Sequence, residues 1–231
     1  MKAKSRRWLP LTVLSLAAVG LTAVLVSIAV GEHAPPQIRV QETGEVQQLI
    51  AGIPQLDDRL GEDDASVTID LYLDVQCPSC AEYTAEVIDP VIEDFVRTGQ
   101  VKIILHHRPV GVKGTTLGAF ATIAAAQQDR GWQYAEIFMR NLNLVPESGV
   151  ADDYLNEIAG VTPKLDLPLW EEDLDREDLH QEAEDDDRLA AELEIPAATA
   201  LVIANPETGF SETLFDSPSL EDVLDAIARA Q

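Results

Sequence analysis

Residues 71–95 read LYLDVQCPSCAEYTAEVIDPVIEDF and hold the chain's two cysteines, Cys77 and Cys80, three positions apart. Just upstream, Val67, Ile69, Leu71 and Leu73 alternate with polar residues, the period of a buried strand. Downstream, Tyr83, Val87, Val91 and Phe95 recur at helical spacing, with Pro90 predicting a kink and Gly99 a C-cap. Pro78 suits the first helical turn, where its missing N–H costs nothing. The pair thus sits where a strand turns into a helix. As a structural staple it would be weak, because loop closure stabilises by roughly 2 kcal/mol for four residues against about 3 for fifteen. The spacing suits a dithiol that opens and closes repeatedly.

Working outward, VKIILHH (101–107) reads as a second strand closed by Pro109. Strand, helix and strand in so short a span predict a parallel βαβ unit. A long helical stretch follows, with TTLGAFATIAAAQQ (115–128), WQYAEIFMRNL (132–142), ADDYLNEIAG (151–160) and DLHQEAEDDDRLAAELE (178–194). TALVIANPETGFSETLF (199–215) reads as a hairpin around Asn-Pro-Glu-Thr-Gly, and SLEDVLDAIARA (219–230) as a closing amphipathic helix. The order predicts an α/β domain over 61–231, a thioredoxin-like sheet with a helical insertion at about 115–192.

The chain begins with four basic residues, Lys2, Lys4, Arg6 and Arg7, in a short segment 1–8. Leu9 to Val30 then runs without a charge. That is long enough for a bilayer core, which takes about 20 residues, so one N-terminal transmembrane helix (9–30) is expected, with its basic end cytoplasmic. The competing reading is a cleaved signal peptide, whose apolar core is usually about 7–15 residues. Residues 31–60 are expected to be linker and lead-in, the Pro-rich, aperiodic 31–48 acting as a tether. All 41 acidic residues lie beyond position 30, with 12 of the 16 Lys and Arg, so the exported part carries 12 − 41 = −29. Such a charge excludes nucleic acid and anionic lipid as partners and favours a soluble monomer. Outside the cytoplasm disulfides persist, yet no further cysteine exists to build a framework. The pair is there for chemistry.

A cysteine at a helix N-terminus faces unpaired N–H groups and the positive end of the helix dipole, and both favour the thiolate, the nucleophile of disulfide exchange. Cys77, ahead of the helix, is the expected attacking group. Cys80, inside the first turn, is the expected resolving group. LIAGIPQLDDRLGEDDASVTIDLYLDVQCPSC (49–80) resembles the opening of the DsbA-like thiol-disulfide oxidoreductases of the thioredoxin superfamily, in which a lead-in and a strand precede Cys-Pro-x-Cys. AAAQQDRGWQYAEIFMRN (124–141) is similar to that family's helical insertion, and LEIPAATALVIANPETG (193–209) to the segment after it. The resemblance implies an extracytoplasmic enzyme with Cys77 and Cys80 catalytic and Pro78-Ser79 as the active-site dipeptide. It needs no cofactor or metal, and its partners are thiol-containing secreted or envelope proteins and an extracytoplasmic redox partner.

One departure from the family bears on function. Its loop beside the cysteines usually ends in Gly-Thr-Pro with a cis-proline, and here Ala198-Thr199 stands there, Thr199 at the proline position. A cis bond before Thr would cost about 3–4 kcal/mol, so a trans bond and a reshaped loop are expected. An alternative function follows, a thioredoxin-fold binding module for a client or a metal with weakened turnover. Asp74, three residues before Cys77, is a candidate for proton transfer from Cys80 or equally for a strand-end cap. His106 and His107, adjacent on a strand, are expected on opposite faces, so two thiolates and one imidazole leave a tetrahedral zinc site incomplete. Trp132, Tyr134 and Phe138 read as helix core, and EAEDDDR (182–188) as a solvated helix face.

Overall fold

The structure, a computed structural model, describes residues 39–109, 116–147, 149–195 and 199–231. The expected transmembrane stretch 9–30 and the basic segment 1–8 lie outside the described residues. No helix among the described ones is long and apolar enough to cross a membrane.

A six-stranded sheet forms the spine, in the order β1-β2-β4-β3-β5-β6. Its centre is the parallel pair β3 (Val67–Leu73) and β4 (Val101–His107), in register from Val67↔Val101 to Leu73↔His107. Both strands bury alternate residues, Val67, Ile69, Leu71 and Leu73 beside Val101, Ile103 and Leu105. Each such side chain contributes about 1.5–3 kcal/mol by leaving water. Antiparallel β5 (Ala200–Asn205) and β6 (Phe210–Leu214) extend the sheet beyond β3. Their hairpin turns on Asn205, whose Oδ1 accepts the N–H groups of Glu207 and Thr208 while Nδ2 donates to Ala230 O at 2.7 Å.

Helix α1 (Thr43–Ile50) and the short pair β1 (Gln55–Leu56) and β2 (Arg59–Leu60) precede β3. Within the expected linker and lead-in 31–60, residues 43–50, 55–56 and 59–60 thus carry regular secondary structure, while 31–38 lies outside the described residues. Val46, Leu49 and Ile50 are buried, and β2 pairs antiparallel with β4, so the folded unit starts well before residue 61. The tether reading missed α1 because only three apolar side chains carry its inner face.

Between β3 and β4, α2 (Pro78–Tyr83) runs into the π-helical turn Thr84–Ile88, the short α3 (Asp89–Val91) and a second π-helical turn, Ile92–Val96. Pro90 cannot donate to the α-helical ladder, and the wider turns on either side absorb that defect. The insertion comprises α4 (Leu117–Ala126), α5 (Gly131–Arg140), α6 (Asp152–Val161), α7 (Leu167–Asp173) and α8 (Glu177–Glu192). Trp132, Tyr134 and Phe138 are fully buried, as the helical spacing implies. A closing helix, α9 (Leu220–Ala230), starts at a capping box formed by Ser219 and Asp222.

The acidic run 182–188 is not simply solvated. On α8, Asp186 Oδ1 meets His106 Nδ1 at 2.7 Å and Asp186 Oδ2 accepts the His107 N–H at 2.7 Å. Asp187 pairs with Arg108, and Glu182 shares a side-chain hydrogen bond with Asp58. Polar groups on β4 and in the β1–β2 turn need partners once α8 covers them, and these carboxylates supply them.

Candidate active site

The strand-to-helix turn places Cys77 as the N-cap of α2, in extended conformation, with Pro78 in the first turn. Its Sγ accepts the Cys80 N–H at 3.3 Å and lies 3.1 Å from Ser79 Oγ. The Cys77 carbonyl accepts the N–H groups of Cys80 and Ala81, both at 3.0 Å. Cys77 is half-buried and Ser79 exposed, whereas Cys80 is only 4% exposed; both cysteines are free thiols. One sulfur faces outward and its neighbour inward.

Burial pushes the Cys80 thiol up to about 12, and a side-chain hydrogen bond with Cys77 adds to the rise. Two contacts pull the other way. The Thr199 side chain and the main chain of Asp74 both hydrogen-bond the Cys80 sulfur and favour its anion. Thr199 is buried and enters β5 directly, with its carbonyl accepting the Ser217 N–H at 3.0 Å. Thr199 is therefore in contact with the inner sulfur. Ala198 lies outside the described residues.

Asp74 is buried at the end of β3. Its Oδ1 accepts the Gln76 N–H at 2.8 Å and its carbonyl the Cys77 N–H at 3.1 Å, so it caps the turn that carries the nucleophile. The sequence-derived residues Asp74, Cys77, Pro78, Ser79, Cys80 and Thr199 thus converge on one site. Two groups were passed over, Gln76 and Gly118, whose side-chain-to-main-chain contact joins the turn to the insertion at 2.5 Å. The available signal was the isolated glycine inside a helical pattern.

The histidines point away from one another, as alternation requires. His106 stacks on Tyr72 with ring centroids 4.6 Å apart, while His107 is buried with no hydrogen-bond partner for either ring nitrogen among the described residues. Neither contributes to the contacts described around the two sulfurs.

Comparison with known proteins agrees with this geometry. A family model described as thioredoxin matches residues 56–209. The disulfide bond formation protein D of Bacillus subtilis (strain 168) is 26% identical over 166 residues, covering 70% of this chain and 75% of that protein. A probable disulfide bond formation protein D of Bacillus cereus is 27% identical over 155 residues, covering 64% of this chain and 72% of that protein. Among solved structures, alpha-DsbA1 of Wolbachia pipientis superposes with a TM-score of 0.65 at 18% identity, covering 80% of this chain and 95% of that one. Oxidised BdbD of Bacillus subtilis gives 0.62 at 22% identity, covering 77% and 96%.

Proposed function

The chain belongs to the thioredoxin family, and on that premise we propose that it is a DsbA-like protein disulfide oxidoreductase that exchanges disulfides with secreted or envelope proteins. The observation that carries this reading is the asymmetric dithiol: an accessible Cys77 sulfur at the start of α2 and a buried Cys80 beneath it. When the pair is oxidised, a client thiolate attacks Cys77 Sγ. The Cys77–Cys80 bond breaks and Cys80 leaves with the electron pair. A second client thiolate then attacks the client sulfur of the mixed disulfide and releases Cys77. The client is oxidised by two electrons and the chain becomes a dithiol, which an extracytoplasmic electron acceptor must reoxidise.

Cys80 is a poor leaving group if nothing helps it, because thiols that hold their protons tightly leave slowly. Thr199 and the main chain of Asp74 offset this by hydrogen-bonding the departing anion. Asp74, buried at the same turn, is the group we assign to proton transfer with Cys80. In the mixed disulfide the hydrogen bond that Cys77 makes to Cys80 is lost, which removes one of the influences that hold the Cys80 proton. Thr199 thus serves the chemistry from the position where relatives carry proline, and supports an enzyme over a binding module. The test is transfer itself. Oxidised full-length chain mixed with a fluorescent dithiol peptide is expected to yield one peptide disulfide per chain, and Cys77→Ala is expected to yield none. A wild-type pair that stays oxidised beside reduced peptide would refute the reading.

We further propose that residues 9–30 anchor the protein in the membrane with the dithiol outside, supported by that uncharged run and the four basic residues before it. In native membranes the chain is expected to require detergent for extraction and to retain residues 9–30. A mature N-terminus near Val30 would instead show a secreted protein.

A further inference from the structure

The residue before the nucleophile reaches across to the helical insertion. Gln76 Oε1 accepts the main-chain N–H of Gly118 in the first turn of α4, at 2.5 Å. The first N–H groups of a helix have no partner within it, and Thr116 at the N-cap makes no side-chain cap. Gln76 supplies the missing acceptor. The approach is close: a Cβ at position 118 would stand 2.8 Å from Gln76 Cγ, 2.9 Å from Gln76 Oε1 and 3.0 Å from Phe138 Cζ. Glycine is needed there for space. On its other side the turn is tied to Asp74, through the Gln76 and Cys77 N–H groups. The peptide that carries the nucleophile is therefore held from two directions, by strand β3 and by the insertion.

We propose that Gln76 is a positioning residue for disulfide exchange: its bridge to Gly118 keeps Cys77 Sγ over the start of α2, within reach of Cys80, while a client is attached. The proposal rests on the dithiol reading above. In resolution of a mixed disulfide, the Cys80 thiolate attacks Cys77 Sγ and forms the Cys77–Cys80 bond. The Cys77–client bond breaks, and the client sulfur leaves with the electron pair and is protonated by water. The client sulfur is reduced as the Cys77–Cys80 pair is oxidised. That step needs the two cysteine sulfurs in line, and a client pulling on Cys77 works against it. A turn tied to the insertion resists the pull, whereas an untied one follows it.

The test uses the full chain as wild type, Gln76→Met, Gly118→Ala and the double variant. Gln76→Met keeps roughly the side-chain volume and replaces the amide oxygen with a thioether, a much weaker acceptor. The chain is reduced and offered a fluorescent peptide disulfide, and the mixed-disulfide lifetime is followed beside thermal stability. Each single variant is expected to lengthen the lifetime about fivefold, the equivalent of about 1 kcal/mol, the worth of one hydrogen bond. The double variant is expected to match the slower single one, since both changes break the same bridge. Lifetimes in Gln76→Met equal to wild type would overturn the proposal, whatever happens to thermal stability, because a cap that only stabilises α4 changes melting alone. Additive singles would overturn it too. If the wild type forms no mixed disulfide, the dithiol reading falls with it; if the wild type cycles and the variants match it, only the bridge falls.

Discussion

A Cys80→Ala chain is expected to become trapped on its client proteins as mixed disulfides, while a Cys77→Ala chain stays unattached. Cys77 is the half-buried N-cap sulfur and Cys80 lies inside the first turn, shielded from any client. Reactivity points the same way. With its thiol pushed up to about 12 by burial, Cys80 is held protonated at pH 7. Incoming disulfides therefore meet Cys77, and alkylation of the reduced chain at neutral pH labels Cys77 first. Without Cys80 the adduct loses its intramolecular exit, and its lifetime stretches into the minutes-to-hours range of uncatalysed disulfide rearrangement. Non-reducing electrophoresis of acid-quenched cells expressing each chain, with mass spectrometry of the bands, reads the result. Adducts carried on Cys80 of the Cys77→Ala chain would reverse the assignment of the two sulfurs.

The strand-turn-helix carrying the dithiol was legible because every part of it is local. Alternation in β3, helical spacing after Pro78 and the cysteine spacing all fall within about 30 residues. The hairpin at Asn205 was legible for the same reason. What stayed hidden depends on partners far along the chain. Asp186 reads as one acid among many until β4 brings His106 to it, 80 positions away. Helix α7 escaped notice because Trp170 alone supplies most of its buried apolar surface, its indole N–H donating to Ala121 O at 2.9 Å. Strands β1 and β2 hold two residues each, too few to show a period. Gln76 carries no signal of its own in the sequence, since its acceptor role exists only when α4 starts beside it. Local periodicity reports the elements; the acceptors for their stray polar groups are chosen by the tertiary fold.

The two adjacent histidines are expected to make pH-dependent contributions to stability of opposite sign, His106 one that is lost as pH rises above 6.5 and His107 one that is lost as pH falls below it. Burial alone would lower His106, but its hydrogen bonds with Asp186 (2.7 Å) and Asp70 (3.1 Å) outweigh it and lift the ring to about 9. Both ring nitrogens face carboxylates, so the cation is the form that satisfies them. That stabilisation is complete below the ordinary value of 6.5 and is lost as pH rises through 9. Over 2.5 units it amounts to about 3 kcal/mol. His107 behaves oppositely. Burial lowers it to about 4, and its two nitrogens find no partner among the described residues, so the folded state holds it neutral. Its contribution is complete above 6.5 and is lost as pH falls toward 4, again about 3 kcal/mol. Glu136 is raised to about 8 by burial, and burial likewise raises Asp58 and Glu182, which share a hydrogen bond. These acids lose their stabilisation as pH rises from about 4 upward, so they oppose His107 below pH 6.5 and add to His106 above it, and His106→Gln should make the fall between pH 6.5 and 9 shallower without abolishing it. The difference between His107→Leu and wild type should therefore change between pH 6.5 and 4.5, in favour of the variant, and stay constant between 6.5 and 9. Urea unfolding of the compact unit Ile38–Gln231 at pH 4.5, 6.5 and 9 measures all three curves. If the His106→Gln difference from wild type instead changed between pH 4.5 and 6.5 and stayed constant above, the opposite environments assigned to the two rings would be wrong.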